Sequence, residues 1–272
     1  TPLSTPAALM IPDMIPEVMG FDLNFIHWQE KHAAIRYCRN FLAISKSTAN
    51  DLVRFFPEIS PEQVVTAYCG TDHRTPSAEQ VTNFKQRHGI DRPYFLVPGL
   101  VTGAQKGIYK NLELFFEAFA LLGELRGDYS ILCTHAPPEL SPEFQECVGA
   151  ALVYLMVLSD DDLQCAYAGA AAVAYPSRYE GFGLPVLEAM ACSCPVITCN
   201  NSSIGEVAGD AVIYVDPDDI YAMRNALLAV QEDDTRSELI QKGLLQAENF
   251  SWRKMADEVE IALADFSHDR LN

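Results

Sequence analysis

No apolar run in this 272-residue sequence is long enough to cross a bilayer; the uncharged stretch Ala150 to Leu158 is far short of the roughly 20 residues a membrane helix needs. The start, Thr1-Pro-Leu-Ser-Thr-Pro, has neither the basic region nor the apolar core of a signal peptide, so a soluble, cytoplasmic protein is expected. Basic residues are few. Nineteen Lys and Arg face 37 Asp and Glu, a formal charge of −18. That argues against nucleic acid as a partner, because its binding depends on neutralising phosphates, and it weakens any case for anionic lipid. A pocket for one diphosphate is still allowed, since net charge says little about a single cleft.

Several catalytic signatures are also missing. There is no G-x-x-x-x-G-K-[ST] loop, and Val97-Pro-Gly-Leu stands after a strand where a dinucleotide fingerprint would sit. Ile44-Ser-Lys-Ser lacks the glycines of a nucleophile elbow. None of the six histidines joins a cysteine or serine motif. Cys192, Cys194 and Cys199 cluster without a histidine at zinc-ligand spacing, so no metal is expected. The eight cysteines read as reduced, structural thiols.

What is present is an ordinary globular balance, 49% hydrophobic and 21% charged. From Tyr94 onward short apolar runs alternate with amphipathic stretches. Strands are expected at 94–97, 129–133, 151–156, 171–175, 195–198 and 211–215. Helices are expected near 110–123, 141–148, 160–168 and 184–192. Nearly continuous apolar strands separated by helices indicate a parallel sheet covered on both faces, a complete doubly wound α/β domain over 93–250. Three helices close the chain, and the last, within 251–272, is expected to cross back toward the amino-terminal part. Residues 1–92 offer helices at 24–38 and 47–56 and strands at 41–44 and 64–68, which is thin for an independent domain.

The most informative stretch follows the run Ala170 to Pro176. It reads Glu180-Gly-Phe-Gly-Leu-Pro-Val-Leu-Glu188. Strand, glycine turn and helix expose backbone N–H groups to a phosphate. Gly181 and Gly183 permit close backbone approach, and Pro185 suits a first helical turn. The N–H groups of Phe182, Gly183 and Leu184 would then point into the crevice at the strand's carboxyl end. Glu180 and Glu188 can accept hydrogen bonds from sugar hydroxyls. The same residues also suit a tight packing turn with solvated helix-end charges. Lys110, opening a helix after the first strand of this domain, can reach a phosphate as a point charge or serve as a surface lysine. Glu206 can line the crevice or cap a turn.

Tyr175 to Ala191 resembles the E-x7-E signature of family 4 retaining glycosyltransferases of the GT-B fold. Other segments match in the family's order: Asp13-Met-Ile-Pro-Glu17, Ala43-Ile-Ser-Lys-Ser47, Tyr68-Cys-Gly-Thr-Asp72, Tyr109-Lys-Asn111, Leu158 to Leu163, Pro195-Val-Ile197 and Glu206 to Ala211. The resemblance implies a two-domain, metal-independent enzyme that uses a nucleotide diphosphate sugar as donor substrate and a sugar or glycan as acceptor. Glu188 would hold the ribose, and Glu180 would contact the transferred sugar. The backbone of Phe182 to Leu184 would hold the diphosphate, and Lys110 would neutralise the leaving group. Glu206 would be a further donor-side residue.

Three departures stand out. The loop Gly103 to Lys110 lacks the family's arginine, for which Lys106 would substitute. Pro12 replaces a frequent histidine. Asp13 follows only twelve residues, where the family has about four strands. A truncated amino-terminal domain would expose edge groups, so a homo-oligomer or a covering partner subunit is expected. The alternatives to a transferase are a non-catalytic nucleotide-sugar-binding module and, fitting less well, a sugar-nucleotide epimerase.

Overall fold

The computed structural model describes residues 7–99, 109–135 and 139–268. Two parallel sheets carry the chain. The first is small: β1 (Ala8–Ile11), β2 (Asn40–Ala43) and β3 (Val64–Thr66), in that order. Helices α1 (Ile15–Val18), α2 (Ile26–Tyr37) and α3 (Lys46–Phe55) connect them. Ser45 starts α3 from an extended backbone, its hydroxyl accepting from Thr48 N at 3.0 Å. Ile11, Met14, Ile35, Phe41, Leu52 and Phe56 form the core of this layer. The outer edge of β1 pairs with no strand among the described residues.

Helix α4 (Ala78–His88) is absent from the sequence reading, although Ser77 and Gln80 form a capping box at its start and Gly89, at φ +64°, ends it. It precedes the expected boundary at 92/93, yet its fully buried Phe84 joins the core of the second sheet.

The second sheet is built from β4 (Tyr94–Val97), α5 (Leu112–Ala120), β5 (Ser130–Thr134), α6 (Pro142–Val148), β6 (Leu152–Met156), α7 (Asp160–Ala168), β7 (Ala172–Tyr175), α8 (Leu184–Ala191), β8 (Val196–Cys199), α9 (Ile204–Ala208) and β9 (Ile213–Val215). Its six strands are parallel, in the order β6-β5-β4-β7-β8-β9. Alternation sends Tyr94, Leu96, Val173 and Tyr175 into one core with α8, and Phe95, Val97, Ala172 and Ala174 into the other with α5. On that second face Phe116 stacks on Phe144 with ring centroids 4.1 Å apart. Helices α10 (Ile220–Ala229), α11 (Asp233–Ala247) and α12 (Trp252–His268) complete the chain. Among the described residues no helix is long and apolar enough to cross a membrane.

Strand order reverses between β4 and β7: the chain builds outward to β6, then returns to the other side of β4. In such sheets the crevice outside the carboxyl ends of the strands at the reversal is the usual ligand site. Lys110 follows β4 and Glu180 follows β7, so both stand at that reversal. At the far end of the chain the backbone passes close to Gly70. A Cβ there would lie 2.0 Å from Trp252 N, which brings the start of α12 against the loop after β3.

Candidate active site

Glu180 and Lys110, seventy positions apart, meet at the reversal. Lys110 Nζ donates to Glu180 Oε1 at 2.8 Å and to the Tyr175 hydroxyl at 2.6 Å. Tyr175 in turn donates to the same Glu180 oxygen at 2.7 Å. Glu180 is only 7% exposed, so this is a desolvated cluster rather than a surface ion pair. The Lys110 ammonium also lies over the rings of Tyr175 (4.6 Å) and Tyr109 (5.1 Å). Burial, then the neighbouring Glu180 charge, raises Tyr175 far above the ordinary phenol range; burial with Glu180 and Asp13 pushes Tyr109 up to about 12. Both phenols therefore stay protonated donors at neutral pH.

The backbone beneath Glu180 is held equally firmly. Its N–H donates to Ser202 Oγ at 2.8 Å, and its carbonyl accepts from Ser203 Oγ at 2.9 Å. The loops after β4 and β7 are joined by Arg178 N donating to Tyr109 O at 2.7 Å. Asn111, left-handed at φ 53°, donates from Nδ2 to Pro217 O at 2.9 Å, anchoring the turn that presents Lys110.

At the glycine turn, Gly183 has φ +100°, and a Cβ on it would lie 2.5 Å from Ile204 Cδ1. It caps α8 without a side-chain bond. No acceptor among the described residues takes the N–H groups of Phe182, Gly183 and Leu184. The Phe182 ring is elsewhere, packed between Tyr68 (6.2 Å) and Phe250 (5.8 Å), so only its backbone is available to a ligand. Leu184 is half-buried against the core.

Glu188 lies one turn further along α8 and makes no bond to the Lys110 cluster. Its Oε2 accepts from the buried Tyr167 hydroxyl at 3.0 Å, and its Oε1 has no partner among the described residues. Lys106 lies outside the described residues. Glu206, read as a crevice residue, is engaged with the other half of the chain. Its Oε1 accepts from Ser47 N at 2.7 Å, and its Oε2 accepts from Lys46 N and the Tyr68 hydroxyl, both at 2.9 Å. It therefore caps α3 from across the seam between the sheets, where a carboxylate also meets the positive end of the helix. Glu206→Ala should lower stability by about 1–3 kcal/mol, from one cap and one charged hydrogen bond, with little change in nucleoside diphosphate affinity. Thermal melts paired with calorimetry check this; lost affinity at unchanged stability would return Glu206 to the ligand site.

Other seam contacts converge on the same turn. The Ser45 and Thr48 hydroxyls donate to Gly181 O at 2.7 and 3.1 Å, and Tyr179 donates to Asp51 Oδ2 at 2.6 Å. A Cβ on Gly181 would meet Pro12 O at 2.2 Å and Asp13 Cβ at 2.7 Å. Asp13 thus brings a carboxyl from the first sheet beside Glu180. Burial raises its pKa, Ile15 N and Lys31 oppose the rise, and Glu17 and Glu180 add to it. The supporting residues Tyr175, Ser202 and Asp13 had no assigned role in the sequence reading. Tyr175 had one usable signal, a polar-tipped ring at the end of an otherwise small apolar strand.

The fold is that of GT-B glycosyltransferases. Anabaena HepE, solved with UDP and glucose, matches with a TM-score of 0.75 at 17% identity, over 95% of this chain and 71% of that one. WaaG, a glycosyltransferase involved in lipopolysaccharide biosynthesis, matches at 0.73 and 17% identity, over 95% and 75%. Residues 98–233, half of the chain, match the model of the glycosyl transferases group 1, and the chain belongs to that family. It is 30% identical over 238 residues to O-antigen chain mannosyltransferase B of Escherichia coli, and 27% identical over 272 residues to the serotype-specific mannosyltransferase WbdA of the same organism. These matches cover 84% and 95% of this chain but 61% and 32% of those proteins, so the chain spans less than two thirds of their length.

Proposed function

We propose that the chain transfers a hexose from a nucleotide diphosphate sugar to a sugar or glycan acceptor with retention of anomeric configuration. The observation that carries this reading is the buried Lys110–Glu180 pair beside three N–H groups without acceptors, at the strand reversal. The diphosphate would lie across the N–H groups of Phe182, Gly183 and Leu184 at the start of α8, with Lys110 turning from Glu180 to a phosphate oxygen. The bond between the anomeric carbon and the diphosphate oxygen breaks, and the electron pair leaves on the diphosphate. An acceptor hydroxyl forms the new bond from the same face, its proton passing to a phosphate oxygen. Glu180, freed of part of its partnership with Lys110, would stabilise the positive charge developing on the sugar. These protein groups take the part a metal would otherwise play at the diphosphate. The mannosyltransferase relatives support mannose as the sugar.

Glu188, with one oxygen open among the described residues, would hold the ribose. Calorimetric titration with UDP, GDP and ADP tests this placement. Glu188→Ala should weaken the preferred nucleotide about 10–100-fold, the worth of one hydrogen bond to a charged group; unchanged affinity would refute it. Assays of donor hydrolysis and of transfer test turnover. Binding without turnover would favour a non-catalytic nucleotide-sugar module.

A further inference from the structure

A second cleft, of about 410 Å³, opens at the opposite, amino ends of the central strands. Lys85, Arg92 and Arg236 line it together with the backbone of Gly169 to Ala171. Three cations in one cleft are unusual for a chain of charge −18. None of the three has a carboxylate within ion-pair distance among the described residues, although Asp91 also lines the cleft.

Each cation is pre-positioned. Arg236 donates from Nη1 to Ala171 O and from Nη2 to Ala170 O, the latter at 3.1 Å. Arg92 Nη1 donates to Gly127 O at 2.7 Å. A guanidinium has five N–H donors, so each arginine retains several with no acceptor among the described residues. The Lys85 ammonium lies over the Tyr94 ring at 5.4 Å and makes no hydrogen bond among the described residues. Gly169 leaves it room, since a Cβ there would lie 2.9 Å from Lys85 Cε. Burial and the Arg236 charge hold Lys85 below the usual lysine range, as expected where cations crowd without an anion. The cleft between α4 and α7 makes the contrast. It too carries arginines, but Asp161 and Asp162 line it, and Arg87 is paired to Asp162 at 2.6 Å.

We infer that the cleft formed by Lys85, Arg92 and Arg236 is an anion site for a phosphate group, free or carried on a phosphomonoester. It is separate from the donor crevice. Strand β7 runs from Ala172, next to the carbonyls that Arg236 holds, to Tyr175, which bonds Glu180, so about 10 Å of strand lies between the two sites.

Amide-resolved NMR titration at constant ionic strength tests the site, with inorganic phosphate in one arm and glycerol phosphate in the other. Saturable shifts are expected at Arg92 and Gly169 to Ala171, and the tighter ligand identifies the source of the group. Lys85→Met should weaken binding at least tenfold, while Lys254→Met, far along the sequence on α12, should not. Shifts confined to Phe182–Leu184, no saturable shift at all, or equal weakening by both variants would overturn the inference. If Lys85→Met fails to fold, the location of the wild-type shifts alone decides. The outcome does not depend on turnover, so it stands apart from the proposed transferase activity.

Discussion

Glu180→Gln is expected to lower turnover by about 10²–10³-fold while changing nucleoside diphosphate affinity by less than about threefold. That is the usual scale for removing one preorganised electrostatic group at a developing charge. The substitution is nearly isosteric, and its carbonyl can still accept from Lys110 and Tyr175. What it removes is the negative charge, in a place only 7% exposed, where water cannot replace it. The donor's ground state has little charge at its anomeric carbon and so loses little; the transition state loses most. Lys110 would also be left as a buried cation with a neutral partner. Deleting one member of such a pair costs about 3–5 kcal/mol, so kinetics should be read well below the variant's melting temperature. Equal losses in binding and turnover would mean that Glu180 merely holds the loop together.

Gly181→Ala is expected to have the second largest effect, and on stability. The new methyl would sit 2.2 Å from Pro12 O and 2.7 Å from Asp13 Cβ, the first a main-chain atom that cannot swing away. Overpacking of this kind costs about 1–3 kcal/mol, and more when backbone must move. Here the displaced backbone also carries the Gly181 carbonyl that Ser45 and Thr48 grip. A fall in melting temperature of about 6–12 °C corresponds to roughly 3 kcal/mol in a chain of this size. A melt within a degree or two of wild type would show that the two sheets do not approach as closely at residue 181 as described.

The second sheet was legible in the sequence because each of its inner strands is buried on both faces. Tyr94 to Val97 and Ala172 to Tyr175 read as continuous apolar runs, and the helices between them carry ordinary signals such as Ser159 before α7. Helix α4 was missed because its only strongly apolar inward residue is Phe84. Its evidence was a capping box, which marks a start without a hydrophobic stripe to follow. In the crevice, the glycine turn and Lys110 could be placed from local motifs. Their convergence could not, since it depends on β4 and β7 being neighbours across a reversal of strand order. Glu206 shows the opposite limit. A glutamate that opens a short helix looks the same in sequence whether it faces a ligand or caps a helix 160 positions away.

The turn from Tyr179 to Gly183 is shared property. On the proposed reading one side offers its N–H groups to the donor's diphosphate, while the other anchors the first sheet through Gly181 O and the Tyr179 hydroxyl. A lineage could not freely edit this turn to suit a new sugar, because each change would also disturb the seam. Diversification of donor choice should therefore accumulate on the surrounding strand-end loops, while residues 179–183 change little. The turn acts as a fixed frame, and specificity is free to drift around it.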